Sequence, residues 1–227
     1  STYLFMINTC MKLNTQIDFA ITTYCQAKCR SCQRTNEDTG EVNSWLTPTH
    51  MSYTVFDNIL KKAPSNLYIA QFCGELGDPM MHPKITDFTN RAFAEPSVKT
   101  VVINTNGGLR TPDWYTTMGE EFGGDLQIIF GIDGMSHETN WKYREGVDWQ
   151  RAMDNMLAFT ASGGNAGWHF IIFDWNWQEV QDAYNFARQI RIPITIKYNN
   201  RDFGLISDEN RIKCNELLES IGIRYEN

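Results

Sequence analysis

The chain has 227 residues, 42% of them hydrophobic and 13% aromatic, and carries a formal charge of −7. That length and apolar content suffice for one core of the size of an α/β barrel or a doubly wound domain, without disulfide support. The acidic balance, with a pI near 5.1, removes the broad basic face that phosphate backbones require, so nucleic acid is not an expected partner, and no stretch approaches the roughly 20 apolar residues of a membrane span.

In chain order, apolar runs rich in β-branched and aromatic residues alternate with segments of helical period, which is the pattern of parallel βα units. Strands are expected at 15–24 (TQIDFAITTY), 66–73 (NLYIAQFC), 98–104 (VKTVVIN), 126–133 (LQIIFGID), 168–174 (WHFIIFD) and 193–198 (PITIKY). Between them, Val55, Phe56, Ile59 and Leu60 form one helical stripe, Met153, Met156, Leu157 and Thr160 a second, and Ala183, Phe186, Ala187 and Ile190 a third. Such i, i+3, i+4, i+7 spacing marks faces that pack on a core. The run SGGNAG at 162–167 supplies a helix stop and a turn. A last helix is expected over 207–223, with Cys214, Leu217, Leu218 and Ile221 on its inner face. No linker, repeat or low-complexity tract divides the chain, so residues 1–227 are expected to form one domain, with the strands and helices of its barrel over about 15–200.

Cys25, Cys29 and Cys32 fall within eight residues just after the first strand, on the kind of loop that a parallel barrel uses for its active site. The six cysteines of the chain are too few and too uneven for a secreted disulfide framework. The opening STYLFMINTCMKLN lacks the basic start and apolar run of a signal peptide, so a reducing, cytoplasmic setting is expected. A structural zinc site takes four ligands in paired knuckles, whereas Cys10, Cys73 and Cys214 stand alone. A thioredoxin-like pair has two cysteines around two residues and no third. Three thiolates on a four-iron cubane leave one iron open to a non-protein ligand. Cys73 and Cys214, at a strand end and on an apolar helix face, read as small hydrophobes.

The CxxxCxxC spacing resembles that of the radical S-adenosylmethionine (SAM) superfamily, and later segments of the family pattern follow in order over roughly residues 15–200. The resemblance implies a partial (β/α)6 TIM barrel, one [4Fe-4S] cluster held by Cys25, Cys29 and Cys32, and SAM on the fourth iron, cleaved reductively to a 5′-deoxyadenosyl radical. FCGELGDPMMHP looks like the GGEP segment, implying that Gly77 and Asp78 hold the SAM amino group, with Glu75 a rival carboxylate; read by itself, Gly-Asp-Pro is also a turn with a helix-starting proline. INTNGG resembles the TNG segment and GIDG the S(I/L)DG segment, with Gly131 in place of the usual serine. Asn104, Asn106 and Asp133 are then expected at the barrel mouth, toward the SAM ribose or the substrate. HETNWKYREGVDWQRAMDNMLAF looks like the H…YR…G loop and helix of SPASM-associated members, in which Arg144 pairs with the SAM carboxylate. A planar guanidinium suits that fork, and a surface pairing with Glu145 or Asp148 is the alternative.

Ser31 stands where the family often has a bulky residue, which leaves adenine packing to another element such as WHFIIFDWNW. His169 reads as a core or strand-edge histidine, because no carboxylate or second histidine is placed to join it. Trp175 and Trp177 line a substrate mouth or cap the barrel, and Lys197 and Tyr198 meet substrate or solvent. About 30 residues with one cysteine follow the sixth strand, so auxiliary clusters are not expected. The expectation is therefore a radical SAM enzyme that takes electrons from a reductant such as flavodoxin or ferredoxin and acts on a peptide, a protein or a small molecule. A non-catalytic iron–sulfur protein for electron transfer or redox sensing is the alternative.

Overall fold

Alternate residues of each apolar run face opposite sides of a strand, and here the two sides meet different surroundings. The computed structural model describes residues 15–36, 38–201 and 203–223, and Cys10 lies outside them. Six strands, β1 (Thr15–Phe19), β2 (Leu67–Phe72), β3 (Thr100–Thr105), β4 (Leu126–Gly131), β5 (Asn165–Ile172) and β6 (Ile194–Tyr198), form one sheet in sequence order. Every neighbouring pair is parallel. Among the described residues β1 and β6 do not pair, so the sheet is an unclosed (β/α)6 barrel.

The helices are α1 (Tyr53–Lys61), α2 (Ile85–Phe93), α3 (Pro112–Phe122), α4 (His137–Trp141), α5 (Trp149–Ala161), α6 (Val180–Gln189) and α7 (Asp208–Ser220). Ser52, Thr111, Ser136, Asp148 and Ser207 cap α1, α3, α4, α5 and α7 by accepting from a first-turn backbone N–H, which satisfies donors that the helix itself leaves open. Beneath α1 and α2, Phe19 of β1 and Phe72 of β2 meet Phe56 and Phe88 in edge and stacked contacts. Trp168 and Phe170 fill the same layer under α6 and are fully buried. Among the described residues no helix is long and apolar enough to cross a membrane.

The structure shifts several boundaries, most at β1, β5 and the last helix. β1 stops at Phe19 because Thr22 and Thr23 leave the sheet to bond the segment before α1: Thr22 bridges His50 and Thr23 N donates to Thr49 O at 2.9 Å. β5 starts at Asn165, inside the expected turn, because Gly163 alone reverses the chain at φ 91° and Asn165 already pairs with Gln127. In the first stripe Phe56 and Leu60 are buried and Ile59 packs on the core, but Val55 is 49% exposed in the first turn of α1. On α7, Cys214 and Leu218 are buried and Leu217 packs beside them, while Ile221 follows the end of the helix. Tyr198 Oη donates to Asn215 Oδ1 at 2.6 Å and fastens α7 to β6.

Candidate active site

The loops at the carboxyl ends of the strands enclose a cavity of about 410 Å³, within the roughly 300–1,000 Å³ range of small-molecule sites. Cys25, Cys29 and Cys32 line one wall, on the long loop between β1 and α1. Backbone bonds hold this loop against the later loops: Asp78 N donates to Tyr24 O and Lys28 N to Glu145 O, both at 2.8 Å. Ser31 takes a left-handed φ of 61°, a conformation that strains bulky or β-branched side chains, and its carbonyl accepts from Arg201 Nη1 at 2.5 Å. The small residue that departs from the family pattern thus suits its backbone.

Burial pushes the Cys25 thiol up to about 12, with the nearby Asp78 carboxylate adding to the effect. Burial likewise raises Cys29 to about 11, against the pull of the Arg144 cation. Among the described residues no three His, Cys, Asp or Glu side chains converge on a single metal-ion position. Three thiols line one open cavity, and three cysteine ligands are a donor set that a four-iron cubane can use.

Glycine and aspartate at the end of β2 do different work. A Cβ on Gly77 would collide with Thr22 O and lie 2.7 Å from Tyr24 O, so only glycine lets this loop sit against the start of the cysteine loop. The Asp78 carboxylate is buried and accepts from Met80 N (2.9 Å), Asn106 N (2.8 Å) and Thr105 Oγ1 (3.0 Å to each oxygen). These bonds tie the β2 loop to the end of β3. A carboxylate offers about four acceptor positions, and Asp78 also lines the cavity, as does the exposed Glu75.

Asp133, fully buried, and Arg144, partly buried, form an ion pair, with Arg144 Nε donating to Asp133 Oδ2 at 2.7 Å. Asp133 Oδ1 accepts from Ile171 N at 2.7 Å. Arg144 is therefore paired with Asp133, and neither Glu145 nor Asp148 is its partner; Asp148 caps α5 instead. A Cβ at position 131 would lie 2.6 Å from Arg144 Nη2, so Gly131 makes room for the guanidinium where a serine would crowd it. With Nε engaged by Asp133, Arg144 lines the cavity.

Asn104 on β3 lines the cavity, half-buried. Asn106 also lines it but is largely committed within the protein: its Oδ1 accepts from Gln26 Nε2 (2.6 Å) and Gly108 N (3.0 Å), and its Nδ2 lies 3.8 Å from Cys25 Sγ. Cys73, expected to be a buried small hydrophobe, is half-buried and lines the cavity, whereas Cys214 is fully buried in the core. His169 and Lys197 reach the cavity from β5 and β6. Trp175 stacks on Phe173 beside Phe203, outside this cavity. Arg34, Gln26 and Thr105 were not expected from the sequence to matter; only their places beside Cys25, Cys32 and Asn106 hint at it.

A sequence model of the Radical SAM superfamily matches residues 19–187. No curated protein matches the sequence. Among solved structures, Streptococcus suis SuiB bound to S-adenosylmethionine superposes with a TM-score of 0.72 at 14% identity, covering 93% of this chain and 50% of that one. SuiB bound to its precursor peptide SuiA gives 0.70 at 14% identity, covering 93% and 48%. Native anSMEcpe with bound AdoMet and Cp18Cys peptide gives 0.63 at 13% identity, covering 91% and 58%. The chain thus spans about half the length of SuiB, and at these identities the likeness is one of fold.

Proposed function

The chain belongs to the radical SAM superfamily, and from that premise we propose that it cleaves SAM reductively at a [4Fe-4S] cluster and abstracts hydrogen from a peptide or protein substrate. The observation that carries this reading is the convergence on one cavity of three loop thiols, the Arg144–Asp133 pair and the Asn104 amide. The donor set fits the group: Cys25, Cys29 and Cys32 would hold three irons and leave the fourth for SAM. When bound, the cluster and SAM supply one-electron cleavage of the sulfonium and a carbon radical that abstracts hydrogen. The chain's own residues position and shield that chemistry.

Arg144 is held at Nε by Asp133, so its terminal amino groups are pre-aimed for the SAM carboxylate at no further ordering cost. Gly77, Asp78 and the neighbouring backbone offer acceptors for the SAM amino group, with Glu75 as a second carboxylate. Asn104 faces the cavity on the ribose side, whereas Asp133, expected there from the sequence, is fully buried with both oxygens bonded to Ile171 N and Arg144 Nε and acts only through Arg144. The peptide complexes of SuiB and anSMEcpe favour a peptide over a small metabolite. A flavodoxin- or ferredoxin-like donor would supply the electron.

The test is anaerobic reconstitution followed by incubation with SAM and dithionite. Release of 5′-deoxyadenosine and methionine is expected, with a mass change in a candidate peptide or a protein of a cell extract when substrate is added. A protein that takes up four irons yet neither binds nor cleaves SAM would instead be an electron carrier or redox sensor.

A further inference from the structure

Two arginines stand beside the cysteine loop, Arg34 buried and Arg144 partly so, and among the described residues only Arg144 has a counter-ion. Arg144 is paired with Asp133. Arg34, two residues after Cys32, is 6% exposed, and among the described residues no carboxylate pairs with it. Its Nη1 donates to Thr23 O and to Leu76 O (3.3 Å), its Nη2 reaches Cys25 O at 3.4 Å, and its Nε has no acceptor. Three carbonyls stitch the guanidinium to the cysteine and β2 loops, but they do not neutralise it. A buried charge without a partner is strongly unfavourable, so the site is built to receive an anion.

Asn106 addresses the same corner. Its Oδ1 takes the Gln26 Nε2 and Gly108 N donors, which fixes the amide so that the two Nδ2 hydrogens are offered to Gln26 Oε1 at 3.4 Å and to Cys25 Sγ at 3.8 Å. Cations and N–H donors at cluster sulfurs favour the form with the extra electron.

We propose that Arg34 and Asn106 are positioning residues for the Cys25 corner of the cluster: the unpaired guanidinium and the amide directed at sulfur stabilise the reduced state and raise its potential. This rests on the cluster reading above. It gives Asn106 a role toward the thiolate, where the family resemblance points to the SAM ribose.

The experiment is an anaerobic redox titration of the reconstituted protein, following the reduced cluster by electron paramagnetic resonance, with iron content measured alongside. At a fixed potential Arg34→Gln should lower the reduced-to-oxidised ratio about tenfold, a shift of about 59 mV to more negative values for one electron. Arg34→Lys, which keeps the charge but not the fork of carbonyl bonds, should recover most of that shift. Asn106→Asp, which replaces the N–H donor by an anion, should move the potential in the same negative direction. A cluster-loaded Arg34→Gln protein with the parent potential, or Arg34→Lys behaving like Arg34→Gln, would overturn the role of the charge. Should Arg34→Gln fail to hold iron, Asn106→Asp decides, and an unmoved potential there overturns the proposal. A parent protein that binds no iron would overturn the cluster reading itself, a result distinct from all of these.

Discussion

The two faces of the one sheet follow opposite rules. Toward the helices, Phe19, Phe72, Ile103, Phe130, Trp168 and Phe170 are almost completely buried. On the concave side Asp18, Gln71, Asn104, Gln127, His169 and Lys197 are exposed or half-buried, alternating with apolar neighbours such as Val102, Ile129 and Ile171. A parallel sheet is ordinarily covered on both faces and apolar on both, so the polar side chains interspersed on the inner face mark where the barrel is left open for a ligand. The outer face carries the folding free energy, and the inner face, with the loops above it, carries chemistry.

The largest expected effect lies at the loops above the inner face. Cys25→Ala, Cys29→Ala and Cys32→Ala should each abolish stable iron binding while the far-ultraviolet circular dichroism stays that of the parent. Iron and visible absorbance report the loss, and a brown, four-iron variant would break the assignment.

The same thiols link stability to pH. The folded values of Cys25 and Cys29 lie above the ordinary 9.0, so the folded apo-protein keeps its protons where the unfolded chain releases them. The stabilisation from the two neutral thiols is complete below pH 9 and declines as pH rises toward about 11 to 12, the sense required by proton linkage. The urea midpoint of the apo-protein should therefore fall across this window. In the loaded protein, where the ligands are already deprotonated, the fall should be smaller.

On the outer face, Phe72→Ala should cost about 3–5 kcal/mol, the range for deleting a buried aromatic ring, read as a shift of the denaturation midpoint. A cost below about 1 kcal/mol would mean that this layer is not the core. At the site, Arg144→Ala should weaken SAM binding by about 1.5–3 kcal/mol, the range for a charge-assisted hydrogen bond. It also leaves Asp133 buried without its cation, so Arg144→Lys, which retains the charge, separates the binding loss from general destabilisation. The smallest expected effect is on stability in Asn104→Ala, within about 0.5 kcal/mol as for a residue outside the packed core. Calorimetry should nevertheless show weaker SAM or substrate binding; a stable variant with parental affinity would remove Asn104 from the site.

Local pattern explains why much of the fold and the thiol site is legible in the chain itself. Three thiols in eight residues, a Gly-Asp-Pro turn and the alternation of strand and helix are properties of neighbouring residues, and they locate all six strands and the loop that carries the chemistry. Partnerships between distant residues are not legible in this way. Arg144 pairs with Asp133, eleven positions away on another loop. Gly131 reads from sequence as a lost hydroxyl and becomes intelligible only when the guanidinium is seen to occupy the space of its missing side chain. Arg34 is buried where the cysteine loop and the β2 loop meet, its guanidinium bonded to carbonyls of both.

By itself, then, the sequence determined the order and kind of the elements, the thiol set and the residues lying near the mouth, because propensity, periodicity and short spacing act within a few residues. The tertiary structure alone decided which of those side chains remain available to a ligand. Asn106 and Asp78 are spent mainly on protein donors, while Asn104 faces the cavity. Hydrogen-bond saturation and charge compensation depend on groups brought together from β2, β3, β4 and the cysteine loop, and no local pattern encodes those distances.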